Sequence, residues 1–375
     1  MPSCAAQAAS RPQSGFTTFR FPCKKWISLV NVMTTVQYYP ESVLSQQVKT
    51  LLLQAGAQEK DAEATTCALL HASRIGVDSH GVRLIGHYLR LLGTGGINPR
   101  PSTTFKRTGP ATGQLNADGG LAHPAAYRAM NEAILLAREA GIGAVGVHHS
   151  SHFGAAGAYV LEAARQGMIG LIMSNSDATV SLFGGAKPFH GTNPIAMAAP
   201  VKNSDPWLMD IATSSIPFNR VKLYRSLGLP LPVGVAADSS GLSTQDAMAA
   251  SFLQPLGGEG FGFKGAALAG LVTVLAGALT GAELDPVMTG TDEEQNFLKR
   301  QNVGHFAIAI DPEKFIGSVA YDLAMRKYLD LLRNSPSADG QHPVMAPGDR
   351  EWQEARRRAV NGIPVDAETR RILGL

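Results

Sequence analysis

Over residues 40–55 the apolar side chains Val43, Leu44, Val48, Leu51 and Leu52 recur at helical spacing, and residues 59–75 repeat the pattern up to Gly76. A third helix is expected at once, capped by Asp78 and Ser79, carrying Leu84, Ile85, Tyr88 and Leu92 and ending at Gly93. Residues 103–116, broken by Gly109-Pro110, read as a short hairpin, and Pro124 sits in the first turn of a helix that runs to Ala140. These elements make a helical N-terminal unit with a hairpin over 33–115. Beyond it, short β-type runs at 144–147, 169–173, 195–199, 207–211 and 306–310 are interspersed with helical patterns at 155–165, 217–227 and 316–332. That order predicts an α/β domain with a mixed sheet over 116–334. A Pro-, Gly- and Ser-rich stretch reaching about residue 243 reads as a surface excursion. The tail, 335–375, reads as a loop followed by helices that pack back on the N-terminal unit.

Length allows roughly two domains, since 375 residues exceed one average hydrophobic core. A hydrophobic fraction of 45% with 17% charged residues is that of a folded globular chain. The net charge of +3 is too small and too dispersed for nucleic-acid binding, which turns attention to small molecules. Cys4, Cys23 and Cys67 have no ligand-type spacing, so neither a disulfide framework nor a structural zinc site is expected, and a reducing cytoplasm is the default. An uncharged run of eighteen residues, 265–282, is long enough for a membrane span, but Ala and Gly dominate it. It reads as a buried core helix of a protein without a membrane segment. Residues 1–32 carry Arg11, Arg20, Lys24 and Lys25 and no acid; they read as a disordered extension upstream of a start at Met33, with a transit-like presequence as the alternative.

The chemistry concentrates at 148–154, His-His-Ser-Ser-His-Phe-Gly, between a strand-type and a helix-type run. Three imidazoles on a turn point to a site, because histidine exchanges protons near neutrality. Asp78-Ser79-His80-Gly81 places another histidine at an expected helix start, where the dipole lowers its pKa and Ser79 can orient the ring. Arg83 and Tyr88 follow on that helix and are candidate grips for a carboxylate. Two glycine sets, Gly141/Gly143/Gly146 and Gly260/Gly262/Gly265, match the dinucleotide spacing, but neither has the strand before and helix after that the fingerprint requires. Lys264 and Gly265 are nevertheless expected at a helix N-terminus suited to an anion. Thr192 and Asn193, in Gly-Thr-Asn-Pro, read either as a tight turn or as donors to a ligand.

Together, Ser79-His80-Gly81, His152-Phe153-Gly154, Ser174-Asn175-Ser176-Asp177, Phe183-Gly184-Gly185, Gly191-Thr192-Asn193-Pro194, Asp210-Ile211-Ala212-Thr213, Phe263-Lys264-Gly265 and Pro347-Gly348-Asp349 resemble the malate/L-lactate dehydrogenase family. That family includes ureidoglycolate dehydrogenase, diketogulonate reductase, sulfolactate dehydrogenase and the cyclic imino acid reductases. The resemblance runs from about Met33 to the C-terminus. It implies a non-Rossmann, mixed-sheet NAD(P)-binding domain of the sulfolactate dehydrogenase type, with NAD or NADP as cofactor, a small carboxylate substrate and a homodimer. The implied activity is hydride transfer between NAD(P) and a 2-hydroxy or 2-keto acid, with His80 or His152 as general acid/base and Ser79, Arg83 and Tyr88 beside them. The implied cofactor contacts are Ser176, Thr192, Asn193, Asp210, Ile211, Ala212, Lys264, Gly265, Pro347, Gly348 and Asp349. Many members carry arginine four residues after the Ser-His-Gly histidine; here that position is Leu84, and Arg83 is turned by about 100° on a helix. The usual Pro-Gly-Glu is Pro-Gly-Asp. Two other readings stand beside this one: reduction of a cyclic imino acid, and a zinc-dependent hydrolase using His148, His149 and His152.

Overall fold

The apolar stripes of the N-terminal segment become real helices. The computed structural model describes residues 36–288 and 300–375, so the expected N-terminal extension lies outside the described residues. A short strand, β1 (Gln37–Tyr39), leads into α1 (Glu41–Gln54) and α2 (Glu59–Arg74). Leu44, Val48 and Leu52 of α1 and Leu69 and Leu70 of α2 pack with Ile85, Tyr88 and Leu92 of α3 (Ile85–Thr94). That third helix starts later than its sequence suggests. Asp78 and Ser79 do not cap it; they belong to a single 3₁₀ turn, Asp78–His80, followed by a second, Val82–Leu84. Its left-handed cap is Gly95 rather than Gly93.

The hairpin strands β2 (Thr104–Arg107) and β3 (Thr112–Asn116) form the edge of a seven-stranded sheet. After α4 (Ala122–Ala140) come β4 (Ile142–Ser150), α5 (Gly157–Arg165) and β5 (Ile169–Ser174). Then follow β6 (Val180–Ser181), β7 (Pro188–His190), β8 (Ile195–Ala199), β9 (Trp207–Ile211) and α6 (Phe218–Leu227). The remaining elements are β10 (Ala236–Ala237), β11 (Phe252–Leu253), α7 (Gly258–Val272), β12 (Val303–Ile310) and α8 (Ser318–Arg333), with α9 (Asp349–Asn361), β13 (Ile363–Val365) and α10 (Ala367–Leu373) closing the chain.

The central order is β2-β3-β4-β12-β5-β8-β9, parallel at β3/β4 and antiparallel at every other pairing, a mixed sheet unlike a doubly wound one. Alanines of α4 and α5 cover one face, their small side chains allowing close approach to the strands. The first dinucleotide-like glycine set is a helix end and a strand: Gly141 caps α4 in the left-handed region, and Gly143 and Gly146 lie in β4. The second lies inside α7.

Two expectations need correction. The stretch before residue 243 is more than a surface excursion, because β10 pairs with β11 in a second sheet, order β10-β11-β6-β7, over its own small core of Val180, Val221, Leu231, Val235 and Leu253. The apolar helix is also not buried. It runs from Gly258 to Ala278, its last six residues as a π-helix, and only 33% of its most apolar stretch is buried. Val272 and Ala276 meet the sheet at Met173, while Phe261, Leu271, Val274 and Leu279 face outward. Composition reports that a helix is apolar and not what covers it. At the C-terminus, β13 pairs with β1, and Ile363, Val365 and Leu373 join the N-terminal core.

Candidate active site

The two histidines singled out in the sequence meet. His80 leaves its 3₁₀ turn and His152 leaves the end of β4, and their rings lie 5.8 Å apart at 30°. The first turn is pinned to α2: the Val82 N–H donates to Ser73 Oγ at 2.9 Å. Only glycine fits next to that bond, since a Cβ on Gly81 would stand 2.1 Å from the same oxygen. The second turn is held by Ser151 Oγ, which donates to the Gly120 carbonyl at 3.0 Å, by the Tyr159 hydroxyl on the Phe153 carbonyl, and by Phe153 stacked on His305 at 4.7 Å. His305 in turn bridges Ser150 of β4 and Ser174 of β5, at 2.8 Å each.

Each candidate ring has one partner fixing its Nδ1. Ser79 Oγ lies 2.9 Å from His80 Nδ1, and the fully buried Tyr88 hydroxyl lies 2.8 Å from His152 Nδ1. His87 stands edge-on to His152 at 6.2 Å, and His123 packs edge-on against Tyr88 at 4.8 Å with both ring nitrogens unpartnered. Burial lowers the His80 pKa, and burial joined by the neighbouring imidazoles holds His152 well below the ordinary histidine value. His87 is pushed down to about 4, and His123 and His305 to about 3, burial being the largest cause for each. Burial raises the Tyr88 phenol. The helix-dipole explanation for His80 therefore gives way to desolvation.

Arg83 does not join this cluster. Its side chain is 63% exposed, and its acidic neighbour is Asp366 at 3.9 Å. The expected carboxylate grip is thus not formed, as the shift from position 84 to 83 foreshadows. The zinc reading also loses its geometry: His148 and His149 pack on each other at the end of β4, while His152 bonds to Tyr88. Among the described residues no group of three His, Cys, Asp or Glu side chains is placed to hold a metal.

The expected cofactor residues fall along one connected strip. The Ser176 N–H donates to Asn193 Oδ1 at 3.2 Å, and Thr213 donates through its N–H and Oγ1 to the Thr192 carbonyl at 2.9 and 3.0 Å. Leu256 N–H then reaches Thr213, Gly265 N–H reaches Leu256, and Leu208 N–H of β9 reaches Pro347. Several side chains on this strip are already engaged internally. Asn193 is fully buried, and its amide donates to Asp285 at 2.7 Å and to the Ala269 carbonyl at 3.1 Å. Asp210 accepts from the Gly157 N–H at 2.8 Å, and burial pushes its carboxyl up to about 6. Asp349 holds Arg333 through both oxygens, at 3.0 and 2.6 Å, from the first turn of α9, which is capped by Gly348. Lys264 is not at a helix N-terminus, because α7 begins at Gly258; its ammonium lies over Phe261 and Phe263 at 5.4 and 5.9 Å.

The accessible part of the strip is Ser176, Thr192, Ile211, Ala212, Lys264 and Pro347. It offers hydroxyls, backbone groups and an ammonium without an acidic partner among the described residues. A Cβ on Gly191 would stand 2.1 Å from Ser176 Oγ, so the two loops are in close contact. This donor set fits the hydroxyls and phosphates of a dinucleotide. Sequence reasoning missed His87, His123, His305 and Asp285, a buried carboxylate that accepts from Asn193, Thr273 and Asn175. Its complete burial leaves it no access to a ligand.

The malate/L-lactate dehydrogenase family model matches residues 39–373. Malate dehydrogenase of Pyrococcus abyssi is 36% identical over 87% of this chain and 90% of its own length. The ureidoglycolate dehydrogenase (NAD(+)) of Escherichia coli K12 is 31% identical over 86% of this chain and 90% of its own. Among solved structures, malate dehydrogenase of Pyrococcus horikoshii superposes with a TM-score of 0.81 at 30% identity, covering 91% of this chain and 96% of that one. The Δ1-piperideine-2-carboxylate reductase of Pseudomonas syringae superposes with a TM-score of 0.77 at 29% identity, covering 90% and 98%.

Proposed function

Since the chain belongs to the malate/L-lactate dehydrogenase family and is a 2-hydroxyacid dehydrogenase, we propose that NAD or NADP is its hydride partner and that His80 and His152 handle the proton. The observation that carries this is the pair of imidazoles 5.8 Å apart, each with Nδ1 anchored, on a fold with an accessible polar strip at Ser176, Thr192, Ile211 and Ala212. Bound there, the nicotinamide supplies the hydride acceptor or donor.

The chain's own residues divide the proton work. Burial keeps the Tyr88 phenol protonated, so its O–H donates to His152 Nδ1 and leaves Nε2 as an N–H aimed at a substrate oxygen. At His80, an Nδ1–H donated to Ser79 Oγ leaves the Nε2 lone pair to take the hydroxyl proton in oxidation and return it in reduction. Lowered pKa values keep both rings neutral at neutral pH, so that His80 can accept a proton at Nε2 while His152 donates its Nε2 hydrogen bond.

The test is oxidation of NADH and NADPH with pyruvate, oxaloacetate, other 2-keto acids and Δ1-piperideine-2-carboxylate. Turnover of a 2-keto acid is expected. Turnover of the cyclic imine alone replaces the hydroxy acid reading, and absence of both turnover and NAD(P)H binding removes it.

We further propose a homodimer, with the outward face of the apolar helix from Gly258 to Ala278 against the second copy. Phe261, Leu271 and Val274 on that helix and Leu279 just after it are 44–63% exposed, an apolar surface of the kind that marks an interface. Replacing Leu271 and Val274 with Asp is expected to give a monomer in sedimentation. A dimer of unchanged affinity would place the interface elsewhere.

A further inference from the structure

The turn that presents His80 carries one formal charge between residues 77 and 82, on Asp78. Both oxygens of that carboxylate are taken by one side chain 280 residues away. Arg358 of α9 donates from Nη1 to Asp78 Oδ1 at 2.5 Å and from Nη2 to Oδ2 at 2.9 Å, the bidentate fork in which arginine binds carboxylates most firmly. The same Nη1 donates to the Ser73 carbonyl at 2.6 Å, and Nε donates to Glu354. The Arg358 side chain is only 7% exposed.

Two anchors therefore hold the turn. Ser73 grips it through the Val82 N–H and the seat of Gly81, while Arg358 spans from the end of α2 to Asp78, two residues before His80. Inside the turn, backbone bonds join His80 N–H to Val77 and Gly81 N–H to Asp78. His152 stands 5.8 Å from the His80 ring, and His87 stands edge-on to His152 at 6.2 Å. The position of the His80 ring relative to His152 is thus tied to α9.

We propose that Arg358 is a positioning residue for His80: through Asp78 it holds the imidazole at its working distance from His152. Placement of a reacting group to within an ångström is worth about 10²-fold in rate. The inference rests on His80 as the proton-transfer group. Its test includes a readout that does not depend on turnover.

The full-length R358M, R358K and D78N variants are compared with the parent protein in kcat, KM for the keto acid, NAD(P)H affinity, melting temperature and the NMR titration of the His80 imidazole. R358M is expected to lose about 10- to 100-fold in kcat, with NAD(P)H affinity and keto-acid KM within a factor of about three. R358K restores charge without the fork and recovers part of the loss. The R358M/D78N double variant is expected to be no slower than R358M, because both act on one contact. The His80 titration is expected to move up toward the ordinary histidine value as the loosened turn admits water. Folded R358M and D78N with parental kcat and parental His80 titration would overturn the proposal, leaving Arg358 as packing alone. Should R358M fail to fold, R358K and D78N carry the same comparison. Full turnover by H80N, with R358M still moving the His80 titration, would sink the catalytic assignment of His80 and leave the positioning intact.

Discussion

His80→Asn and His152→Asn are each expected to slow turnover of a 2-keto acid by about 10² to 10⁴-fold, the usual size of general acid/base help. The surroundings of the two rings make the variants distinguishable. Removing His80 leaves Ser79, a partly exposed residue whose hydroxyl water can satisfy, so the melting temperature stays near that of the parent. His152→Asn loses Nε2 but keeps an amide at the Nδ1 position that still pairs with the Tyr88 hydroxyl, so H152N is expected to be slow with a near-parental melting temperature, whereas His152→Leu strands that fully buried hydroxyl at a cost of about 1–3 kcal/mol. H152L is therefore expected to be both slow and less stable. In the oxidation direction, kcat/KM of the parent rises with pH through a value below the ordinary histidine 6.5 and is flat above it, because burial lowers the pKa of the base. H80N is expected to lose that limb. Parental turnover with the limb intact in H80N would move the base to His152, and parental turnover in both would remove the pair from catalysis.

The parts of this site that were legible in the sequence are those encoded locally. Leu44, Val48 and Leu52 spell a helix because a stripe three to four residues apart has one way to be buried. The His152 turn was legible because three histidines near an expected strand end fit poorly with packing. What stayed hidden depends on contacts between distant segments. Asp78 and Ser79 look like a helix cap, but Arg358 and Ser73 draw that stretch into a tight turn and delay the helix to Ile85. Tyr88 and His152 are 64 positions apart, and nothing local marks them as partners. His123 and His305 sit among apolar neighbours at ordinary helix and strand positions. Asn193 is read as a ligand donor from its motif, whereas its amide bonds to Asp285 beneath the loop.

Acid is expected to unfold this protein earlier than its modest charge suggests. His71, His123 and His305 are 0–5% exposed, and burial pushes each down to about 3. In the unfolded chain each titrates near 6.5. Below that value the unfolded state takes up protons that the native state refuses, so the stability these residues contribute is complete above about pH 6.5 and is lost as pH falls toward about 3. Each group contributes about 1.4 kcal/mol per pH unit across that window, about 4 kcal/mol for the three. Asp210 works in the opposite direction. With its carboxyl pushed up to about 6 by burial, it holds a proton in the native state that the unfolded chain releases, returning about 1.4 kcal/mol per unit between about pH 6 and 4. The net loss, about 3 kcal/mol per unit, compares with a total stability of about 5–15 kcal/mol for a typical domain. The urea midpoint is therefore expected to fall steeply between pH 7 and 5, with unfolding in buffer alone near pH 4. His123→Leu isolates the cause, because neither nitrogen of that ring has a partner to lose. It is expected to flatten the slope by about one group's share, about 1.4 kcal/mol per unit. Equal urea midpoints at pH 7 and pH 5 would mean that these imidazoles are charged in the native state, and their burial would then need another explanation.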